Sequence, residues 1–161
     1  MSGDGDPGRG EGRAGAAARP SSPSELDLSL RPDLDEVERL VEGLSGFGAE
    51  HGLSEALLYN IRICIDELVS NAIRYAFEGD EKGSIRIRVS RDAEAVRVEV
   101  SDDGQRFNPL EDGTPADLDA TLSERRIGRL GILLVKSLSD EMTYRYSGGR
   151  NVVSLTHLLD A

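Results

Sequence analysis

Between Ser54 and Ala76 lies a segment that has to be buried on most sides if it is helical. Leu57, Leu58, Ile61, Cys64, Ile65, Leu68, Ala72, Ile73 and Ala76 recur at helical spacing behind Ser54, a residue suited to N-capping. So little polar circumference remains that the spacing predicts a central helix with other elements packed around it.

The flanking patterns supply those elements. Leu26, Leu28 and Leu30 alternate as in a half-buried strand, and Pro32 and Asp33 then open a helix striped by Leu34, Val37, Leu40, Val41 and Leu44. Gly46, Gly48 and Gly52 read as the connection to the central helix. After a turn at residues 79–83, Ile85, Ile87 and Val89 alternate with arginines, and Val96, Val98 and Val100 follow in the same rhythm, which predicts an antiparallel hairpin. Residues 102–127 lack periodicity and read as one long loop. A helix from about Gly128 to Leu138 and a hairpin turning at Ser147-Gly148-Gly149 complete the order. Strand, helix, helix, two strands, loop, helix and two strands make an α+β two-layer sandwich.

At 161 residues this is one domain's worth of chain. The 30 acidic against 19 basic residues leave a net charge of −11, which argues against duplex nucleic acid or an anionic membrane as the main partner. Cys64 is the sole cysteine, so no disulfide forms within the chain, and no Cys/His cluster has zinc-ligand spacing. With no secretion signal and no membrane-spanning run, a cytoplasmic protein is expected. Residues 1–24 are rich in Gly and Pro, contain no Leu, Ile, Val or aromatic residue, and balance Asp4, Asp6 and Glu11 against Arg9, Arg13 and Arg19. They are expected to form a disordered arm, leaving 25–161 as the folded domain.

Three segments carry chemical potential. On the central helix Glu67 and Asn71 are four residues apart and share a face, a carboxylate and a carboxamide suited to a base and an oxygen ligand for magnesium. Asp102-Asp103-Gly104 puts two carboxylates at a strand end, beside a glycine that permits close approach. In Arg125-Arg126-Ile127-Gly128-Arg129-Leu130-Gly131, glycines lead into an apolar helix whose first N–H groups could receive an anion. Each segment alone also reads as ordinary structure: a wet helix face, an Asp-Gly turn, a helix start. The P-loop spacing G-x-x-x-x-G-K does not occur. Cys64, His51 and His157 read as packing or surface residues, and the acidic run from Asp33 to Glu38 as a solvated helix start.

Taken in order, Glu67-x-x-x-Asn71-Ala72-Ile73-Arg74, Asp102-Asp103-Gly104-x-x-Phe107-Asn108-Pro109 and Gly128-x-Leu130-Gly131-Ile132 resemble the N, G1 and G2 boxes of the GHKL (Bergerat-fold) ATP-binding superfamily, in particular its anti-sigma-factor serine kinase branch. The resemblance covers about residues 25–161. It implies a Bergerat-type sandwich with a mixed, mostly antiparallel sheet, helices on one face and an ATP lid at about 110–127. It also implies ATP and Mg2+ as cofactors, with Glu67 as general base, Asn71 as magnesium ligand and Asp102 as acceptor for the adenine amino group. Gly104 would give the base room, Gly128 and Gly131 would border the lid, and Arg74, Phe107, Arg129 and Leu130 would belong to the boxes around the nucleotide. The implied partners are a sigma factor and an anti-anti-sigma (STAS-type) protein phosphorylated on serine, and homodimers are common in such families.

Three positions depart from the family pattern. Arg106 and Arg129 stand where glycines are frequent, and Asn151-Val152 stands where many relatives carry threonine near the adenine. Either arginine could reach a phosphate or stiffen the lid. The alternatives to a kinase are a binding module that holds nucleotide and partner without transfer, and a detached histidine-kinase catalytic domain. Only the kinase reading requires Glu67 as a base.

Overall fold

The computed structural model describes residues 24–78, 82–111 and 122–160. The expected arm lies outside this set apart from Ser24, as do residues 79–81 of the expected turn and 112–121 of the expected lid. The order is β1 (Ser24–Leu30), a 3-10 turn (Leu34–Glu36), α1 (Val37–His51), α2 (Glu55–Asn71), a π-helical turn (Ala72–Ala76), β2 (Ile85–Arg91), β3 (Ala95–Asp102), α3 (Leu122–Leu138), β4 (Glu141–Ser147) and β5 (Arg150–Leu158).

The strands form one five-stranded sheet in the order β1-β2-β3-β5-β4. Every pairing among the described strands is antiparallel, so the parallel pair that a mixed sheet would contain is not found there. Alternation sends Ile85, Ile87, Val89, Val96, Val98, Val100, Val153 and Leu155 to the helical side, where they meet Leu40, Leu44 and Phe47 of α1 and Ile61, Cys64, Ile65 and Leu68 of α2. α2 is central, as its apolar circumference demands. Ser54 Oγ accepts from the Leu57 N–H at 3.2 Å and caps it. The opposite sheet face is polar, with Arg86 paired to Asp27 and Arg88 to Glu25 across strands, exposed pairs that contribute little stability. The closing turn has Gly148 at φ 60° and Gly149 at φ 75°, the left-handed geometry that a tight hairpin requires.

Two boundaries differ from the sequence reading. α1 runs through Gly46 and Gly48 to His51, and only Gly52 (φ 64°) ends it. Gly48 is a packing residue: a Cβ there would sit 2.3 Å from Leu58 Cδ1, so its absence lets α1 and α2 approach. α3 begins at Leu122, not Gly128, because no proline interrupts 122–138 and good helix formers surround the glycine. No helix among the described residues is long and apolar enough to cross a membrane.

Candidate functional site

The site is built around the C-terminal half of α2. Asn71, the last α-helical residue, is 5% exposed, and the helix then widens into the π turn at Ala72–Ala76. Such turns re-aim side chains and leave carbonyls to be satisfied from outside the helix. The loop after β3 does this. The Gln105 N–H donates to the Ala76 carbonyl at 2.9 Å, and Gln105 Nε2 donates to the Tyr75 carbonyl at 2.8 Å and to Glu78 Oε1 at 2.9 Å. Phe107 stacks on Tyr75 with ring centroids 5.1 Å apart.

This docking explains Gly104. A Cβ on residue 104 would lie 2.6 Å from the Ala76 carbonyl oxygen, so the glycine seats the loop against α2. The space it spares is occupied by backbone, which differs from the room for a base that the resemblance implies.

Glu67, one turn before Asn71, lies against the third segment. A Cβ on Gly131 would fall 2.2 Å from Glu67 Oε2, so only glycine leaves the carboxylate its place. Gly128 and Gly131 both lie inside α3, where their N–H groups are part of the helical ladder. They are therefore not the free N–H groups of a helix start, and residues 122–127 of the expected lid are helical. Leu130 is 64% exposed, whereas Ile132 and Val135 fix α3 to the core.

Asp102 ends β3 and is 6% exposed. Burial raises its pKa above the ordinary carboxylate value, against the opposing effects of hydrogen bonds from Asn151 and the Gly104 N–H and of the Arg150 charge. Both bonds fall on Oδ1, from Asn151 Nδ2 at 2.9 Å and Gly104 N at 3.0 Å. Oδ2 is left to accept from a ligand.

Asn151, which the sequence marks only as a departure from the family pattern, is what holds Asp102 in place. It is 3% exposed and uses its whole hydrogen-bonding capacity. Nδ2 donates to Asp102 Oδ1 at 2.9 Å and to the Gln105 carbonyl at 2.8 Å, while Oδ1 accepts from the Phe107 N–H at 2.9 Å and the Tyr144 hydroxyl at 2.7 Å. The available signal was its β-strand register, which places Asn151 directly opposite Asp102.

Arg74 is exposed, its guanidinium carbon 5.9 Å from the Tyr75 ring centroid. Arg106 turns toward β4, 5.3 Å from the Tyr146 ring centroid. The side chain of Arg129 lies outside the described residues. Cys64 is fully buried, and burial pushes its thiol pKa up to about 11, consistent with a packing role. Among the described residues no group of three or more His, Cys, Asp or Glu is arranged to hold a metal.

Comparison with known proteins bears on family and fold. The chain is 29% identical over 136 residues to the serine-protein kinase RsbW of Listeria monocytogenes, covering 83% of this chain and 85% of that protein. It is 26% identical over 137 residues to RsbW of Bacillus subtilis, covering 83% and 84%. The fold is similar to the crystal structure of the RsbU and RsbW domains of a Mycobacterium tuberculosis protein, with TM-score 0.60 and 22% identity over 84% of this chain but only 32% of that one. It is also similar to a chain of the SiaB–SiaC complex from Pseudomonas aeruginosa, with TM-score 0.52 and 18% identity over 82% and 89% of the two chains. Residues 30–157 match the histidine kinase-like ATPase domain, so the chain belongs to that family, with the fold expected of the GHKL serine kinase branch.

Proposed function

We propose that this protein is an anti-sigma factor that binds MgATP beside α2 and phosphorylates a serine of a small STAS-type anti-anti-sigma protein. The observation that carries the reading is the joint placement of Glu67 against Gly131 and of Gly104 against Ala76, which makes one helix the common wall of all three boxes. Similarity to serine-protein kinases over most of both chains supports the reaction class.

In this reading Asp102 Oδ2 accepts a hydrogen bond from the adenine amino group, while Asn151 and Gly104 hold Oδ1. The Phe107 and Tyr75 stack borders the base side. Arg74, Arg129 and Leu130 would belong to the boxes around the nucleotide, with Gly128 and Gly131 on the α3 side. Asn71 suits magnesium, because a single carboxamide oxygen next to substrate phosphates is a usual protein share of such a site and no all-protein cage is needed. Magnesium, when bound, would neutralise charge on the triphosphate. Glu67 would take the proton from the serine hydroxyl as that oxygen attacks the γ-phosphorus, and the bond to the β,γ-bridging oxygen would break.

The folded domain of this reading is 25–161, with 1–24 as an arm. A sigma factor and the STAS-type protein would compete for the domain, which would act in the cytoplasm where ATP is supplied. The test is transfer of labelled γ-phosphate to STAS-type proteins by the wild type and by Glu67→Ala. Acid-stable phosphoserine that disappears in Glu67→Ala supports the kinase. ATP binding without transfer makes the chain a binding module, and acid-labile phosphate on a partner makes it a histidine-kinase catalytic domain.

A further inference from the structure

The outer face of the sheet, away from the helices, holds a cavity of about 280 Å3 that the reading above does not use. On a chain of net charge −11, its walls gather three guanidinium groups, Arg86 from β2, Arg145 from β4 and Arg150 from β5, against one carboxylate, Glu99 of β3. Strand register causes the convergence. Arg86 pairs with Ser101, Ser101 with Val152 and Val152 with Arg145, so one row crosses four strands, and Arg150 stands opposite Ser147 at the end of the adjoining hairpin.

Gathering like charges is unfavourable unless opposite charge offsets them. Two of the arginines have such partners: Arg86 pairs with Asp27 through two nitrogens, and Arg145 reaches Glu99 at 3.3 Å. Arg150 differs in forming no ion pair among the described residues, although its charge is felt by the Asp102 carboxylate. Its Nη2 meets the carbonyl oxygen and Oγ of Ser101, neutral groups that are both 3.4 Å away, the outer limit of a hydrogen bond. Its remaining donors have the planar fork that fits two oxygens of a phosphate, and the hydroxyls of Ser101 and Ser147 add donors on the same wall.

The cavity is separate from the nucleotide side. Arg150 and Ser101 precede Asn151 and Asp102 in their strands, and alternation sends each pair to opposite faces of the sheet.

We propose that this cavity is a binding site for a small phosphate-type oxyanion, with Arg150 as the central donor and Arg145 and Arg86 flanking it. The site does not depend on the kinase reading. It is tested by titrating the full-length, 15N-labelled protein with inorganic phosphate at constant ionic strength, using chloride as the control ion. Saturable shifts are expected in the amides of Ser101, Arg145, Arg150 and Val152. The affinity is expected to fall about tenfold or more in Arg150→Gln and by a smaller factor in Arg145→Gln, as loss of charge-assisted bonds requires. Thermal melts establish that both variants are folded. Phosphate acting no more strongly than chloride, shifts confined to α2 and α3, or unchanged affinity in both folded variants would overturn the proposal.

Discussion

Glu67 occupies the place that a side chain on Gly131 would take: Oε2 lies 2.2 Å from where that Cβ would be. Gly131→Ala must therefore displace the carboxylate. The obstructing atom ends a flexible side chain, and alanine favours a helix interior over glycine by roughly 0.5–1 kcal/mol, so stability should change by no more than about 1 kcal/mol. Phosphotransfer should fall by about a hundredfold, the lower range of a lost general base. Thermal melts and transfer assays on the same preparation check both halves. Unchanged transfer would remove Glu67 from the base role.

Gly104→Ala should behave in the opposite way. The Cβ would meet the Ala76 carbonyl oxygen at 2.6 Å, and backbone cannot swing aside. The 102–107 loop would have to lift from the π turn, breaking the Gln105 bonds to Tyr75 and Ala76. A loss of about 1–3 kcal/mol is expected in urea denaturation, from overpacking.

Asn151→Leu keeps the volume but removes every hydrogen bond of the side chain. Asp102 Oδ1, the Gln105 carbonyl, the Phe107 N–H and the Tyr144 hydroxyl would each lose a partner. At roughly 1–3 kcal/mol for a buried polar group left unsatisfied, a loss of at least about 3 kcal/mol is expected by urea denaturation. The pH below which nucleotide binding weakens should also rise, because Asp102 would lose a bond that favours its ionised form.

His157 gives stability a distinct pH dependence. It is 2% exposed, and burial lowers its pKa below the ordinary 6.5, opposed by a bond with the Leu138 backbone and the Asp140 charge. Between that lowered value and about 6.5 the unfolded chain binds more protons than the folded one, so this group makes stability rise with pH in that window and level off above it. Comparing melts of the wild type and His157→Gln across pH 5–8 isolates the contribution, which should vanish in the variant.

Legibility in the sequence followed the range of the interactions. The strands around Ile87, Val98 and Val153 and the Ser54 cap were readable because alternation and capping act over a few residues. The continuation of α1 through Gly48 was not, because what makes glycine favourable there is Leu58 on another helix. The early start of α3 was missed because Gly128 was read as a boundary although its neighbours favour helix. Glu67, Asn71 and Asp102 could be singled out from residue type and spacing. Asn151 stands out in the sequence only as a departure from the family pattern, and its hold on Asp102 is not legible there, since its partners Asp102 and Phe107 come from 49 and 44 residues away.

The central claim is that the carboxylate of Asp102, held by Asn151 and the Gly104 N–H, anchors a nucleotide in a site walled by α2. Calorimetric titration with MgATP of the wild type, Asp102→Asn and Glu67→Ala tests it most directly. The account predicts saturable binding by the wild type, affinity weakened by about tenfold or more in Asp102→Asn, as the loss of a charge-assisted hydrogen bond requires, and binding retained in Glu67→Ala. Equal affinity in Asp102→Asn and wild type, or no binding by the wild type, would contradict it.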